Sequence, residues 1–536
     1  MKSRRIIALS AAAALVGFNL TPNAHAVFRS WNVGTGNWGA SGNWSPAGTP
    51  TAADVTFLDH LVSGQRGVVS VVGKGNVATS VSIRQLNQLD ITNHSSLTVG
   101  GDILVGYDSS VGFLNVNSSM PGVIFFDGSL TVNNTLRLGF SSASGIVAQN
   151  DGTVNVNQLL RIGDRQATSP IFPGTGRYTL SGVGVLNASR LELGYGGDSS
   201  QFACEGELIV GGNSTVNISL QLPEPRIGGD GGTGTLTQTG GTINCTQRII
   251  ELGGASGPGI FNFSGGSFNA AGIGLGNTGV INYTAGANLN VGQLSTVNGR
   301  VNLSPGGGKT FRTSVLFTDP GAWAIDVSDN QMVVLSTFHD TVPTVLKRGR
   351  NGGAWNGTGI TSSAARDNPQ HATSLGLLSG AEYKSIYGPG ALFGGQTVSD
   401  SASLIKYTLY GDADFNGVVN FDDYSRVDAG FNAGRSGWVN GDFDFNGTVN
   451  FDDYALIDLG FNAQSGTLRA AVALLQGVES ASDRYNSPAL QLVADHYAHF
   501  GEEYSNAFLS SVPEPAALGS LTVSALGMAA RRRRRC

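Results

Sequence analysis

From about residue 80 to residue 310, hydrophobic positions recur at every second residue in short runs. Leu136 and Leu138, and Val154 and Val156, keep that spacing, and Ile249–Leu252 keeps it with one slip. Period-two runs separated by Gly, Asn and Asp predict β-strands joined by tight turns. Two half-motifs alternate. One is an apolar pair closed by Gly: ILVG at 103–106, LRLG at 136–139, LRIG at 160–163, LELG at 191–194, PRIG at 225–228 and IELG at 250–253. The other is a strand carrying Asn: GTVNVNQ (152–158), NSTVNISL (213–220), GGTINCTQ (240–247) and GGSFNAAG (265–272). A fixed order of strand, turn and strand over roughly twenty to thirty-five residues predicts a right-handed β-helix, or solenoid, whose coils bury their apolar faces only by stacking. Asn residues at matching points are expected to form a hydrogen-bonded ladder between coils.

Beyond residue 420 the period changes to that of a helix. Tyr424, Val427 and Phe431, and again Tyr454, Ile457 and Phe461, fall at i, i+3 and i+7 and predict one apolar stripe on each of two helices. A third stripe, Leu490, Val493, Tyr497, Phe500 and Tyr504, makes residues 466–511 helical. Residues 345–405 are rich in Gly and Ser, show little periodicity, and read as a linker or small module. The expected class is therefore mainly β: a solenoid followed by a small α-helical module and C-terminal helices.

Composition agrees with this picture. The chain has 536 residues, too many for one ordinary domain, and its 78 Gly follow no collagen triplet. The formal charge of −6 becomes more acidic once the basic ends are set aside, which argues against nucleic acid and for divalent cations. Residues 1–26 have a basic start (MKSRR), an apolar stretch too short to span a membrane, and a small-residue end at Ala24-His25-Ala26. That is a signal peptide, so export is expected. In an oxidising compartment Cys204 and Cys245 either pair or remain two buried thiols. Between the leader and the repeats, Trp31, Trp38 and Trp44 alternate with Gly and Asn. They either cap the first coil or form a carbohydrate platform, and capping of an open sheet edge is the plainer reading.

The sharpest chemistry is a duplicated acidic loop, DADFNGVVNFDD at 412–423 and DFDFNGTVNFDD at 442–453. Calcium takes six to eight oxygens, and a twelve-residue loop supplies them at fixed spacing around a sharp turn at position 6. The predicted ligands are Asp412, Asp414, Asn416, the Val418 carbonyl, Asn420 and Asp423 in the first loop. In the second they are Asp442, Asp444, Asn446, the Thr448 carbonyl, Asn450 and Asp453. Two calcium ions are expected, with folding dependent on them because three carboxylates per loop repel one another. Val419 and Val449 are expected to pair between the loops. With Asp in position 12, the pair closely resembles a type I dockerin. In that family, partner recognition of cohesin uses loop positions 10 and 11. Here these are Phe421-Asp422 and Phe451-Asp452 rather than the usual Ser/Thr pair, which implies a protein-binding face of another specificity.

The chain closes with VPEPAALGSLTVSALGMAARRRRRC. Pro513-Glu514-Pro515, an apolar run at 516–530 and Arg531–Arg535 resemble a PEP-CTERM sorting signal. The resemblance implies an exosortase-type partner and delivery to the envelope or matrix of a Gram-negative bacterium. The repeat body resembles autotransporter-associated β-strand repeats of such proteins. The expected organisation is 1–26 signal peptide, 27–79 Trp/Gly-rich cap, 80–340 solenoid, 341–405 linker or small module, 406–465 dockerin-like domain, 466–511 helices and 512–536 sorting signal. Acids in the body, among them Asp102, Asp127, Asp164, Glu192, Glu207 and Glu251, are spread out, so a non-catalytic surface or matrix protein is expected. The alternatives are a polysaccharide-degrading β-helix enzyme and a glycan-binding adhesin with an extracellular polysaccharide as partner. Arg161, Asp164 and Arg165 read as a solvated turn. His496 and His499, with Asp495 and Glu502 near, read as an exposed helix face rather than a metal site.

Overall fold

The computed structural model describes residues 26–59, 68–84, 87–92, 94–107, 111–116, 128–140, 143–164, 174–195, 204–219, 223–229, 231–286, 288–318, 320–477 and 487–512. The leader and the Pro513–Pro515 motif lie outside them. The described chain is mainly β, and its strands join in one large sheet.

Three sets of parallel pairings run through the body. In the first, Ile103 lies beside Val81, Leu136 beside Ile103, Leu160 beside Leu136 and Leu191 beside Leu160. In the second, Tyr178 lies beside Val147, Leu208 beside Tyr178, Leu236 beside Leu208 and Phe261 beside Leu236. In the third, Leu130 lies beside Leu97, Val154 beside Leu130, Leu186 beside Val154 and Val216 beside Leu186. All of these side chains are buried, each contributing about 1.5–3 kcal/mol of transfer free energy.

The Gly that closes each apolar pair has a double cause. Gly139, Gly163 and Gly194 all have φ between 64° and 71°, where L side chains are disfavoured. A Cβ there would also overlap the carbonyl of Thr175, Glu205 or Thr233 on a neighbouring strand.

The Asn ladder forms as expected. Asn187 donates to Asn155, Asn217 to Asn187 and Asn244 to Asn217, each at 2.8 Å, and Asn269 to Asn244 at 2.9 Å. Two residues before each Asn, a second outward column holds Thr153, Val185, Thr215, Thr242 and Ser267 in register, and Ser129, two residues before Thr131, continues it.

Trp31, Trp38 and Trp44 are buried and meet edge to face at 5.1 and 5.0 Å. Trp44 Nε1 donates to the Trp38 carbonyl at 2.9 Å. They close the body's start and present no open platform. Asp164 is not in a solvated turn. It is buried and paired with Arg137 and Arg161, while Arg161 and Arg190 meet buried Glu192. Arg165 lies outside the described residues. Cys204 and Cys245 are buried thiols that form no disulfide with each other.

Of the two readings of residues 341–405, linker or small module, the structure fits the small module. Helices α1 (Val342–Arg350), α2 (Ser363–Arg366) and α3 (Gly380–Tyr387) alternate with strands Gly359–Thr361, Thr373–Ser379 and Ser403–Leu409. Gln331–Phe338 pairs antiparallel with Ser403–Leu409, which pairs antiparallel with Thr373–Ser379. This reversal ends the parallel stacking. The strand TSLGLLS is buried on both faces, so it shows no alternation. Helices α4 (Phe421–Ala433), α5 (Phe451–Ser465), α6 (Leu468–Leu475), α7 (Pro488–Phe500) and α8 (Glu502–Ser511) follow among the described residues.

Candidate metal centre

Each acidic loop runs into a helix that it also caps. Asn420 and Asn450 are the N-caps of α4 and α5, and the loops' final Asp residues complete reciprocal capping boxes. Asp423 accepts from the amides of Asn420 and Ala413, both at 2.9 Å. Asp453 accepts from Asn450 at 3.0 Å and Phe443 at 2.7 Å. These two carboxylates are thus fixed in place by the backbone of their own loops.

The helices complete each other's loops. Tyr424 on α4 donates to Asp458 on α5 at 2.6 Å, and Tyr454 on α5 donates to Asp428 on α4 at 2.6 Å. A Cβ on Gly430 of α4 would strike the carbonyl of Asn440, just before the second loop. One on Gly460 of α5 would strike that of Tyr410, just before the first. Sequence reading found the two stripes but not this exchange. Val419 and Val449 are both buried in the core, and both backbone groups of Val419 bond the Gln464 side chain at 2.9 and 3.0 Å.

The geometry brings six predicted acids together as two groups. Oxygens of Asp412, Asp414 and Asp423 lie within 4.8 Å of one another, as do those of Asp442, Asp444 and Asp453. Gly417 and Gly447 make the sharp turn with φ of 89° and 96°. Phe415 and Phe445 also take positive φ, 69° and 62°, a strained state for a bulky residue. Trp438 stacks on Phe445 and donates Nε1 to the Asp412 carbonyl at 2.8 Å, so one residue between the copies braces both. No ligand-spacing rule points to it.

Burial raises the pKa of Asp423 to about 7 and of Asp453 to about 8, and neighbouring carboxylates add to the rise. Asp412 and Asp442 are raised too, again mainly by burial. Asp412 Oδ1 is buried without a hydrogen-bond partner, which is costly in a low-dielectric site. An all-oxygen, carboxylate-rich set of this kind fits a hard cation. Two buried Asp clusters can therefore hold a metal ion.

The other predicted ligands are placed differently. Asn416 and Asn446 each accept the amide of Val418 or Thr448 and donate to Asp414 or Asp444. Asn420 and Asn450 spend their side-chain oxygens on the amides of Asp422 and Asp452. Val418 and Thr448 lie on the exposed rim. The two Phe-Asp pairs are not equivalent: Phe421 is 81% exposed beside exposed Asp422, whereas Phe451 packs on the core and Asp452 is half-buried.

His496 corrects a second expectation. It is not on an exposed face. Its Nδ1 lies 2.6 Å from Asp458 Oδ2, and Tyr504 donates to the same oxygen. Burial would lower its pKa, but the Asp458 hydrogen bond and charge raise it. His496 takes the buried place expected of Tyr497, which is exposed. His499 is exposed.

No family model, no curated protein and no solved structure matches this chain.

Proposed function

We propose that this chain is an exported, non-catalytic cell-surface or extracellular-matrix protein, in which a right-handed β-solenoid carries a calcium-stabilised, dockerin-like docking module. The observation that carries the metal half of this reading is the repeated cradle of three carboxylates with the unpartnered Asp412 oxygen. Calcium suits it: the donors are oxygens only, and loops of this spacing complete the shell with a main-chain carbonyl, here that of Val418 or Thr448. Two bound ions would supply the positive charge that the six acids lack. The solenoid reading is supported by the in-register parallel pairings, the repeated positive-φ Gly and the Asn ladder. The docking reading is supported by exposed Phe421 and Asp422, and its partner would be a cohesin-like or other surface protein. Export and sorting by an exosortase-type enzyme rest on the leader and on Pro513-Glu514-Pro515.

Calorimetric titration of the chelator-treated secreted chain with calcium tests the reading. Two sites are expected, and Asp412→Ala with Asp442→Ala is expected to remove both. Absence of any calcium heat in the wild type would end the metal half of the proposal.

A further inference from the structure

The three outward faces of the repeat body differ in charge. On the first set of strands the outward positions include Arg137, Arg161, Glu192, Arg226 and Glu251, in register and partly ion-paired. On the second, Arg177 lies beside Glu207. Between Thr153 and Asn269 the third carries the amide column and, beside it, a column of hydroxyls interrupted by Val185. None of those residues is buried, and none is charged.

The columns form a lattice. Neighbouring strands are about 4.8 Å apart, and side chains two residues apart on a strand lie about 7 Å apart. Inside the ladder, Asn187, Asn217 and Asn244 each spend one N–H on the preceding Asn and one oxygen lone pair on the following one. The second N–H and second lone pair of each stay available, and the ladder fixes their direction. Side-chain entropy that a flexible polar surface would lose on binding is thus largely lost on folding. A comb of identical, fixed, neutral donors and acceptors suits a ligand that itself repeats by translation and bears no charge. It offers no cation to a uronate or phosphate, and no large apolar area to a protein. A neutral glycan chain likewise repeats its hydroxyls at regular intervals along its length.

We infer that this face binds an ordered, neutral polysaccharide laid along the ladder, with amides on one side of the chain and hydroxyls on the other. The inference is independent of the metal centre and does not use the buried tryptophans.

The test is co-sedimentation of the full secreted chain with microcrystalline cellulose as the neutral β-linked probe and with insoluble polygalacturonate as the anionic one. Retention on cellulose is expected, with at least a tenfold weaker affinity for Thr153→Lys/Thr215→Lys and no change for Arg177→Ala/Glu207→Ala. If the lysine variant misfolds by circular dichroism, Thr153→Val/Thr215→Val replaces it, with a smaller but measurable loss expected. Several results overturn the inference: no retention of wild type on cellulose, equal retention of the face variants, or preference for polygalacturonate. So does inhibition of ice recrystallisation without glycan binding, or a dimer in sedimentation that the face variants dissociate.

Discussion

The two loop–helix copies differ little in their loops and much in what surrounds them. The first loop is held from outside. Tyr387 donates to the Asp414 carbonyl at 2.8 Å, Lys406 to the Phe415 carbonyl at 2.6 Å, and Thr408 to the Asp412 carboxylate. Its helix α4 is buried on one stripe only. The second copy has the opposite emphasis: α5 is buried almost all round, with Ala455, Leu456 and Leu459 where α4 has Ser425, Arg426 and Ala429. One copy joins the cradle to the sheet, and the other joins it to the C-terminal helices. A duplicated motif can thus keep its chemistry while its outer surfaces take on different structural tasks.

The largest expected effect is on the metal-free protein. Asp423 and Asp453 titrate near 7 and 8 when folded, against an ordinary 3.8. The folded form therefore keeps protons that the unfolded form has released. The contribution of these groups is full below about pH 4 and is lost as pH rises through 7 and then 8. In chelator, the helical module is expected to lose stability progressively from about pH 4 to about pH 8, with saturating calcium abolishing the trend. Circular dichroism at 222 nm across pH measures this. A flat profile in chelator would mean that the acids are not buried as described.

Next in size is the exchange between the copies. Gly460→Ala and Gly430→Ala each force a methyl group against main chain of the other copy, and each is expected to cost about 3 kcal/mol. Thermal unfolding in calcium measures both. If only one variant loses stability, the packing is not reciprocal.

The smallest effect separates the two Phe-Asp pairs. Phe421→Ser is expected to change stability by no more than about 0.5 kcal/mol. Phe451→Ser, which removes a packed ring, should cost about 1–3 kcal/mol. Equal costs in denaturant titration would restore the symmetry that the structure removes.

Much of this was legible in the sequence, for physical reasons. Period-two runs, the Gly after each apolar pair and the spaced Asn residues record strand, turn and stacking directly. The acidic loops were legible because ligand geometry fixes spacing. Residues 341–405 were legible only as a linker or small module, because a strand buried on both faces loses its alternation and Gly-rich composition imitates a linker. His496 was misread because one histidine on an amphipathic helix has the same pattern whether it faces water or a buried carboxylate. The difference between Phe421 and Phe451 was present in SRVDAG against ALIDLG, where Leu replaces Arg.

The crossed contacts of Gly430, Gly460, Tyr424 and Tyr454 have a historical consequence. Each unit carries both halves of the same contact, which is the form of an isologous dimer interface. Two separate single-copy chains would already possess everything needed to pair across a two-fold axis. Joining them in one chain turns an association that depends on concentration into one that does not. From then on the two outer surfaces are no longer bound to be identical, and one is free to acquire the leucines of α5 while the other keeps a half-buried arginine.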